Sequence, residues 1–384
     1  MPTWLSGKNS IHRVALRGQG RSHKSSNVID AAASNKTNIL ELKPEGLYCA
    51  AGEFYIDPWR PVERAIITHA HADHARPGME HYLVSNAGLP LYRARLGVDA
   101  SLHGLDYGES ITLGSAKVSL HPAGRVLGSA QVRVETRDGV WVASGDYKLG
   151  FDPTCVPFEP VQCDTFITES TFGLPIFKWQ NTNEIWAEIV AWWSANAEAG
   201  RASVVYCYSL GKAQRVLAGM VTDIGPIIAH GAVAKLNDAY AEAGVRLPHT
   251  QMVSETTDKA SLRRALVVAP PGAAGSPWLK RFEPYTDAFA SGWMAVRGMR
   301  RRRGCDTGFV LSDHADWSEL LTAIKASGAH RVLVTHGYVD ELVHHLRDIG
   351  LSADGLATEF GAEEDAVIPA DTPQVIQLYA RTPG

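Results

Sequence analysis

The stretch Thr68-His69-Ala70-His71-Ala72-Asp73-His74 indicates both the fold and the chemistry of this chain. It follows a short apolar segment, Arg64–Ile67, whose pattern predicts a strand. On a strand or a helix this spacing would spread the side chains over different faces, whereas in a loop that leaves a strand they can converge. Imidazole and carboxylate groups together favour zinc over magnesium, with manganese as the alternative. The sequence therefore predicts a metal site with these candidate ligands: His69, His71, Asp73 and His74.

The rest of the chain predicts a mixed α/β protein. Segments 131–135 and 140–144 predict a β-hairpin around Arg137-Asp138-Gly139, which is a good turn sequence. After Phe172 the pattern changes to alternating helices and strands, and Asn181 is a plausible helix start. The apolar residues that follow recur at helical spacing, and the tryptophans among them indicate packing. This region predicts a small α/β module of parallel units.

Three further motifs resemble those of the metallo-β-lactamase superfamily, whose signature is HxHxDH at a strand end. Ser144-Gly145-Asp146 is similar to the motif of its bridging aspartate, and Thr335-His336-Gly337 to that of its last histidine. Asp57, in Ile56-Asp57-Pro58, is similar to the aspartate that supports the ligands. The resemblance implies an αββα sandwich with two zinc ions. It also implies that the second-metal position has these ligands: Asp73, His74, Asp146 and His336.

Two motifs narrow the resemblance to the β-CASP group of nucleases. Glu169 lies in a sequence similar to the acidic motif that opens the β-CASP insertion, and His314 in one similar to the motif that closes it. The resulting prediction is a metallo-β-lactamase domain in two parts, residues 38–178 and 305–384, with a β-CASP cap domain at 179–304. Residues 1–37, which are basic and lack a sustained apolar pattern, are predicted to be a disordered extension.

Within this group the chain most resembles the bacterial ligase-associated DNA exonucleases. The resemblance extends from about Leu40 to the C-terminus, and among its motifs are Asp152-Pro153-Thr154-Cys155 and Phe172-Gly173-Leu174-Pro175. It implies a metal-dependent phosphodiesterase, a DNA exonuclease that acts in repair with a ligase and a helicase. An RNA-processing nuclease shares all the motifs and stays an alternative. The inserted module argues against a small-molecule hydrolase of the same fold.

The expected mechanism is attack on phosphorus by a water that two metal ions activate. His314, held in its tautomer by Glu169, is the predicted proton donor. Asp73 is assigned to catalysis as well as to metal binding.

Arg125 departs from the family pattern. In Gly124-Arg125-Val126-Leu127-Gly128 it stands where β-CASP enzymes have a histidine that binds the first metal, and arginine is not a normal metal ligand. The first-metal position then keeps His69, His71 and the shared Asp146. Three outcomes are open. The first metal binds weakly with an extra water, His121 substitutes, or the protein works with one metal or is an inactive scaffold. Arg125 could alternatively hold a substrate phosphate.

The remaining predictions concern substrate contacts and cell location. Lys212 and Arg215, at a helix start, are candidate phosphate-binding residues, and a basic run from Arg297 to Arg303 is another candidate. The net charge of −4 does not by itself suggest nucleic-acid binding, but charge distribution matters more than the sum. Five scattered cysteines are expected to be reduced thiols. With neither a secretory signal nor an apolar run long enough for a membrane span, the expectation is a cytoplasmic protein.

Overall fold

The computed structural model describes residues 38–220, 223–253, 258–298 and 304–360. The basic extension predicted for residues 1–37 and most of the predicted basic run, Arg300–Arg303, lie outside these ranges. Within them, no helix combines the length and the apolar character needed to cross a membrane. The described residues form three β-sheets with helices packed against them, so the predicted mixed α/β class is confirmed.

The first sheet has six strands that lie side by side in chain order. The first three strands are antiparallel, and from the third to the sixth all neighbours are parallel. The strands are β1 (Glu41–Lys43), β2 (Gly46–Cys49), β3 (Phe54–Ile56), β4 (Arg64–Ile66), β5 (His81–Ser85) and β6 (Leu102–Leu105). Helix α1 (Leu89–Leu96) follows β5. The metal-ligand motif begins directly after β4.

The second sheet has seven strands in the order β18-β17-β11-β10-β9-β8-β7. The strands are β7 (Ser110–Leu113), β8 (Ala116–Pro122), β9 (Ala130–Thr136), β10 (Gly139–Ala143), β11 (Thr165–Ser170), β17 (Arg331–Gly337) and β18 (Ser352–Gly355). Neighbours are antiparallel from β7 to β10 and parallel from β10 to β18. Because parallel strands end at one edge, β10, β11 and β17 bring Asp146, Glu169 and His336 to the same side.

The two sheets pack face to face, with helices on their outer faces. Side chains of both sheets, such as Phe54, Ile66, Leu120 and Val132, share one apolar core. On the outer face of the second sheet lie helices α6 (Trp317–Ala326) and α7 (Val339–Asp348), and on that of the first lies α1. The result is four layers, helix, sheet, sheet and helix, which is a common way to bury both faces of two sheets.

The third sheet consists of five parallel strands in the order β13-β14-β12-β15-β16. They are β12 (Ala202–Tyr206), β13 (Ile227–Ala229), β14 (Leu266–Ala269), β15 (Tyr285–Ala290) and β16 (Thr307–Phe309). Its helices are α2 (Thr182–Glu198), α3 (Lys212–Ala218), α4 (Gly231–Glu242) and α5 (Lys259–Leu262). Apolar clusters cover both faces of the sheet, as is usual for parallel sheets.

Helix α2 forms as the sequence predicted. The side chain of Asn181 caps it by accepting a hydrogen bond from the backbone N–H of Asn183, and Ile185, Ile189 and Trp193 are buried against the third sheet. The predicted end of the inserted module at residue 304 is too early, since β16 pairs with β15 and extends the third sheet to Phe309. The Ser312-Asp313-His314 motif therefore follows directly from the last strand of the module.

Candidate metal centre

The predicted site residues meet at one edge of the two packed sheets. The loop after β4 supplies the first four candidate ligands, the loop after β10 supplies Asp146, and β17 supplies His336. Glu169 comes from β11, and His314 follows β16 of the third sheet. All of these except Asp73, His71 and His336 are fully or almost fully buried. The structure thus brings residues that are far apart in the chain into one polar cluster between buried apolar layers.

Asp57 orients the loop that carries the ligands. Its carboxylate accepts hydrogen bonds from Thr68 N at 2.8 Å, Thr68 Oγ1 at 2.5 Å and His74 Nδ1 at 2.7 Å. Asp57 itself has a φ of +44°, in the left-handed region that side chains other than glycine rarely adopt. Since His74 Nδ1 donates to this carboxylate, the ring turns its Nε2 atom towards the cluster. Asp57 thus orients a candidate ligand, which is the role that the family resemblance implied.

The second-metal position has donor atoms that suit a divalent ion. His74 Nε2 lies 3.5 Å from Asp73 Oδ2 and 3.7 Å from Asp146 Oδ2, and His336 Nε2 lies 3.1 Å from Asp146 Oδ1. His74 Nε2 is buried and has no hydrogen-bond partner among the described residues. A buried polar nitrogen without a partner is costly unless an ion or a water contacts it. Two imidazoles and two carboxylates form a donor set typical of zinc or manganese.

The charged groups at the second-metal position shift the pKa values of His74 and Asp146 so that each favours its charged form. Burial disfavours protonation of His74, but the carboxylates of Asp73, Asp146 and Asp57 outweigh it and raise the pKa of His74 to about 9. Burial likewise opposes the charge of Asp146, yet Arg125, His336 and His74 hold the pKa of its carboxyl well below the usual range. Asp146 is therefore an anion at neutral pH, and the position attracts cations.

The guanidinium of Arg125 lies among the residues of the first-metal position. Its Nη1 is 2.6 Å from Asp146 Oδ2 and also donates to His69 Nε2. Its Nη2 lies 2.6 Å from His314 Nε2. The side chain is 1% exposed. Because all its polar contacts are within the protein, the alternative prediction that Arg125 binds a substrate phosphate is not supported by this arrangement.

His71 lies beside this position but turns to the inserted module. Its Nε2 lies 3.2 Å from the backbone carbonyl of Leu210, in the loop between β12 and α3. A carbonyl only accepts, so the histidine nitrogen donates. The same loop approaches closely at Gly211, where a Cβ atom would lie 2.3 Å from Val126 Cγ1. The module therefore contacts the site through backbone, and His71 is one of the contact residues.

Glu169 and His314 form the pair that the sequence predicted. His314 Nδ1 lies 2.6 Å from Glu169 Oε2, and the backbone N–H of Tyr147 donates to Glu169 Oε1 at 2.9 Å. Arginine has only donors, so His314 Nε2 must accept the hydrogen bond from Arg125, and the ring proton lies on Nδ1. In this arrangement the nitrogen that faces the cluster carries no proton, which conflicts with the predicted role of His314 as proton donor.

Lys212 and Arg215 are buried instead of lining an open groove. Arg215 is 0% exposed, with Nε 2.6 Å from Asp152 Oδ2 and Nη1 hydrogen-bonded to the carbonyl of Ser312. It joins α3 to both parts of the chain around the insertion, and in this structure it has internal partners instead of a surface position from which it could contact a phosphate. Lys212 lies 3.3 Å from Asp313 Oδ1 and over the Tyr208 ring, so its charge also has an internal partner.

His121 is not placed to replace the missing histidine. Its Nδ1 lies 3.2 Å from Glu159 Oε1, and its Nε2 lies 3.0 Å from Ser119 Oγ. Both ring nitrogens are therefore engaged on β8 and the loop that contains Glu159. The alternative in which His121 binds the first metal would require these contacts to break.

Two residues of the site were not predicted. Asp313 is buried, with Oδ2 3.7 Å from Arg125 Nε, and although burial opposes its charge, Lys212 and Arg125 hold the pKa of Asp313 well below the usual range. Its position beside His314 in a strand-end motif is the sequence signal that could have identified it. Phe360 stacks on the His74 ring, with centroids 4.4 Å apart, and no sequence pattern signals this contact.

Other groupings of potential ligands within the described part of the chain are already used by protein partners. Asp57, His69 and His74 have ligand atoms within 4.8 Å of one another, and so do Asp146, Glu169 and His314. The oxygens of Asp57 accept three hydrogen bonds, however, and Arg125 contacts Asp146 and His314. The second-metal position is the better candidate because His74 Nε2 remains for an ion.

Comparisons with known proteins agree with these features. No protein-family model matches the chain. A probable DNA ligase of Opitutus terrae is 32% identical over 310 residues, which is 80% of this chain and 30% of that protein. RNase aCSPSF2 of Saccharolobus solfataricus is 29% identical over 116 residues, 29% of this chain and 23% of that protein. The chain thus spans less than a third of the length of these curated relatives.

A solved structure shares the fold at low identity. The crystal structure of a protein of unknown function from Enterococcus faecalis V583 has a TM-score of 0.53 and 12% identity, and the match covers 78% of this chain and 80% of that one. At this identity the likeness concerns the fold alone. The two curated relatives fit the resemblance drawn from the sequence, to the β-CASP nucleases with a metallo-β-lactamase-like fold.

Proposed function

We propose that this chain is a metal-dependent phosphodiesterase that hydrolyses nucleic acid, with its ion at the second-metal position. The observation that carries the proposal is the buried Nε2 atom of His74, which faces Asp73 and Asp146 and has no hydrogen-bond partner among the described residues. His336 completes the donor set from the opposite side of Asp146. The donor atoms favour zinc, with manganese as the alternative.

The architecture that goes with this function is a metallo-β-lactamase sandwich that carries a β-CASP cap domain. The four layers of the first two sheets support the sandwich, and the parallel third sheet between Glu169 and His314 supports the cap. The proposed domains are residues 38–178 and 305–384 for the sandwich and 179–304 for the cap, with the end of the cap moved to Phe309 by β16.

The residues of the proposed centre would have different chemical roles. A divalent ion at the second-metal position would activate a water and neutralise charge on the phosphoryl group. Asp57 fixes the ring of His74, and Asp146 holds negative charge between that position and Arg125. Glu169 orients His314, which accepts a hydrogen bond from Arg125. Proton donation by His314 to a leaving group would require this contact with Arg125 to break first.

The proposed substrate is DNA, and the proposed action is that of an exonuclease in repair. One similarity, over 310 residues, is to a protein named as a probable DNA ligase, which supports a role beside a ligase. A helicase partner rests on the family resemblance alone. The shorter similarity to RNase aCSPSF2 supports RNA as the second candidate substrate.

The direct test is hydrolysis of end-labelled single-stranded DNA and of RNA of the same sequence, with zinc or manganese added. We expect DNA to be shortened from one end, and His336→Ala to lower the rate by more than the ~10–100-fold that loss of a ligand-supporting contact causes. His344→Ala changes a histidine that is 81% exposed, and its rate should equal that of the wild type. A wild type that degrades neither substrate with either metal would refute the proposal.

A catalytically inactive scaffold is the second candidate function, and Arg125 is the observation that favours it. A guanidinium among the first-metal ligands removes one of the two ions that related enzymes are expected to use. An inactive protein that nevertheless binds DNA tightly would support this candidate.

A further inference from the structure

We propose that the guanidinium of Arg125 takes the place of the first metal ion, so that the centre holds one divalent ion per chain, at the second-metal position. The position of that ion rests on the proposed function. The replacement of the first ion by a side chain is a separate claim, because it concerns the number of ions and stands or falls whether or not the chain hydrolyses nucleic acid.

The location of Arg125 is the first support. Nη1 contacts both His69 Nε2 and Asp146 Oδ2, which are the imidazole and the bridging carboxylate that a first ion would need. These two atoms lie only 3.6 Å apart, and the guanidinium nitrogen lies against both of them. An ion between them would have to displace Arg125 from its buried place.

The use of the lone pairs is the second support. His69 Nε2 accepts from Arg125, so its lone pair is not available to a metal while that contact exists. His69 Nδ1 then carries the ring proton and lies 3.0 Å from Thr68 Oγ1, whose own hydroxyl donates to Asp57. His71 Nε2 donates to Leu210 O, so the lone pair of a neutral His71 ring lies on Nδ1. It is therefore the lone pair of His69 that the contact with Arg125 withholds from a first metal ion.

The charge around the guanidinium is the third support. Asp146 lies on one side of Arg125, at 2.6 Å, and Asp313 lies on the other, at 3.7 Å from Nε. Both carboxylates are buried. A buried arginine is stable only when carboxylates compensate its charge. A dication added at the same place would meet a fixed positive charge in a medium of low dielectric constant, where repulsion is strong.

In this arrangement Asp146 bridges the guanidinium and the second-metal position instead of two metal ions. Its Oδ2 contacts the guanidinium, and its Oδ1 faces His336 in the second-metal position. The guanidinium carries a permanent charge but, unlike a metal ion, it cannot bind and activate a water by coordination. Activation of water would therefore depend on the second-metal position alone.

Metal content of the full-length protein tests this inference without any activity measurement. The chain is saturated with zinc or manganese, passed through a desalting column, and analysed for metal per chain. For the manganese form, the electron paramagnetic resonance spectrum is recorded as well. We expect one ion per chain and the six-line spectrum of an isolated Mn²⁺. Two ions per chain, or the spectrum of a coupled manganese pair, would overturn the inference, and so would a protein that retains no ion.

Two variants sharpen the test. Arg125→His restores an imidazole and should raise the content from one ion to two, with a coupled manganese spectrum. Arg137→His is the matched control, since Arg137 is 94% exposed on the β9–β10 turn, and it should keep one ion. An Arg125→His protein that folds and still holds one ion would show that Arg125 does not exclude the first metal. If that variant does not fold, the wild-type spectrum alone decides.

The results separate this inference from the proposed function. One ion per chain in a protein that degrades no nucleic acid supports the inference and refutes the function. Two ions per chain in a protein that degrades nucleic acid would support the function and refute the inference.

Discussion

Arg125 and Asp146 form a buried ion pair in which Nη1 lies 2.6 Å from Oδ2, while the other oxygen of Asp146 faces His336 at 3.1 Å. One carboxylate thus connects a fixed cation to a position suited to a metal ion. In our proposal this pair takes the place of the bridge between two metal ions that the family resemblance implied.

Removal of the Arg125 charge should destabilise the protein. Arg125→Met leaves Asp146 and Asp313 buried without their guanidinium partner, and breaking a buried pair costs about 3–5 kcal/mol. We expect the free energy of unfolding, measured by urea denaturation with chelator present, to fall by that amount. Arg137→Met, at an exposed position, should change it by less than about 0.5 kcal/mol. Equal effects of the two substitutions would show that the pair contributes nothing.

Loss of the Asp57 carboxylate should weaken metal binding without removing a ligand. Asp57→Asn would place an amide group against His74 Nδ1, which now donates to the carboxylate, and the ring would lose its fixed tautomer. We expect zinc affinity, measured by competition with a chromophoric chelator, to fall about 10–100-fold. Asp354→Asn changes an exposed carboxylate and serves as the control. Unchanged affinity in Asp57→Asn would contradict the supporting role.

The buried ion pair of Arg215 and Asp152 can be compared with an exposed ion pair of similar length, that of Arg347 and Asp354. The N–O distance in the buried pair is 2.6 Å, whereas Arg347 and Asp354 are 2.7 Å apart and more than half exposed. Arg215→Ala should cost about 3–5 kcal/mol of unfolding free energy, and Arg347→Ala at most about 1 kcal/mol. Urea denaturation of both variants measures the difference. A small cost for Arg215→Ala would mean that this residue is not the internal link described above, and its predicted role in phosphate binding would be open again.

The stability of the metal-free protein should depend on the protonation of His74. Its pKa rises from 6.5 to about 9 on folding, because the three neighbouring carboxylates outweigh the effect of burial. A group with a raised pKa in the folded state stabilises the fold fully below its unfolded pKa and loses this effect as pH rises through the folded value. We expect unfolding free energy with chelator present to fall by roughly 3 kcal/mol between pH 6.5 and 9.

The variant His74→Gln isolates this contribution. It removes the titrating ring while keeping a polar side chain, so the difference in stability between wild type and variant should shrink over the same pH range. A difference that stays constant from pH 6.5 to 9 would show that His74 does not titrate as described.

Much of the fold followed from local patterns. The strand before the histidine motif, the β9–β10 hairpin and helix α2 each depend on neighbouring residues, so periodicity and capping were sufficient to predict them. The end of the inserted module was set too early because β16 is only three residues long and is fixed by pairing with β15. Such tertiary pairing leaves no local signal.

The sequence predicted most residues of the candidate site, without Asp313 and Phe360, but not the contacts among them. The sequence identified Arg125 as a departure from the pattern, yet it could not show that the guanidinium reaches His69, Asp146 and His314, which are 56, 21 and 189 positions away in the chain. The burial of Arg215 was missed for the same reason. Its partner Asp152 lies in another part of the fold, and only the packed structure decides whether a charge faces solvent or a buried carboxylate.

The central claim, that Arg125 occupies the first-metal position, is tested most directly by X-ray diffraction from crystals of the zinc-loaded wild type, recorded at the zinc absorption edge. We expect one anomalous peak per chain, among Asp73, His74, Asp146 and His336, with the Arg125 guanidinium against His69 and Asp146. A second peak between His69, His71 and Asp146, with Arg125 displaced, would contradict the account.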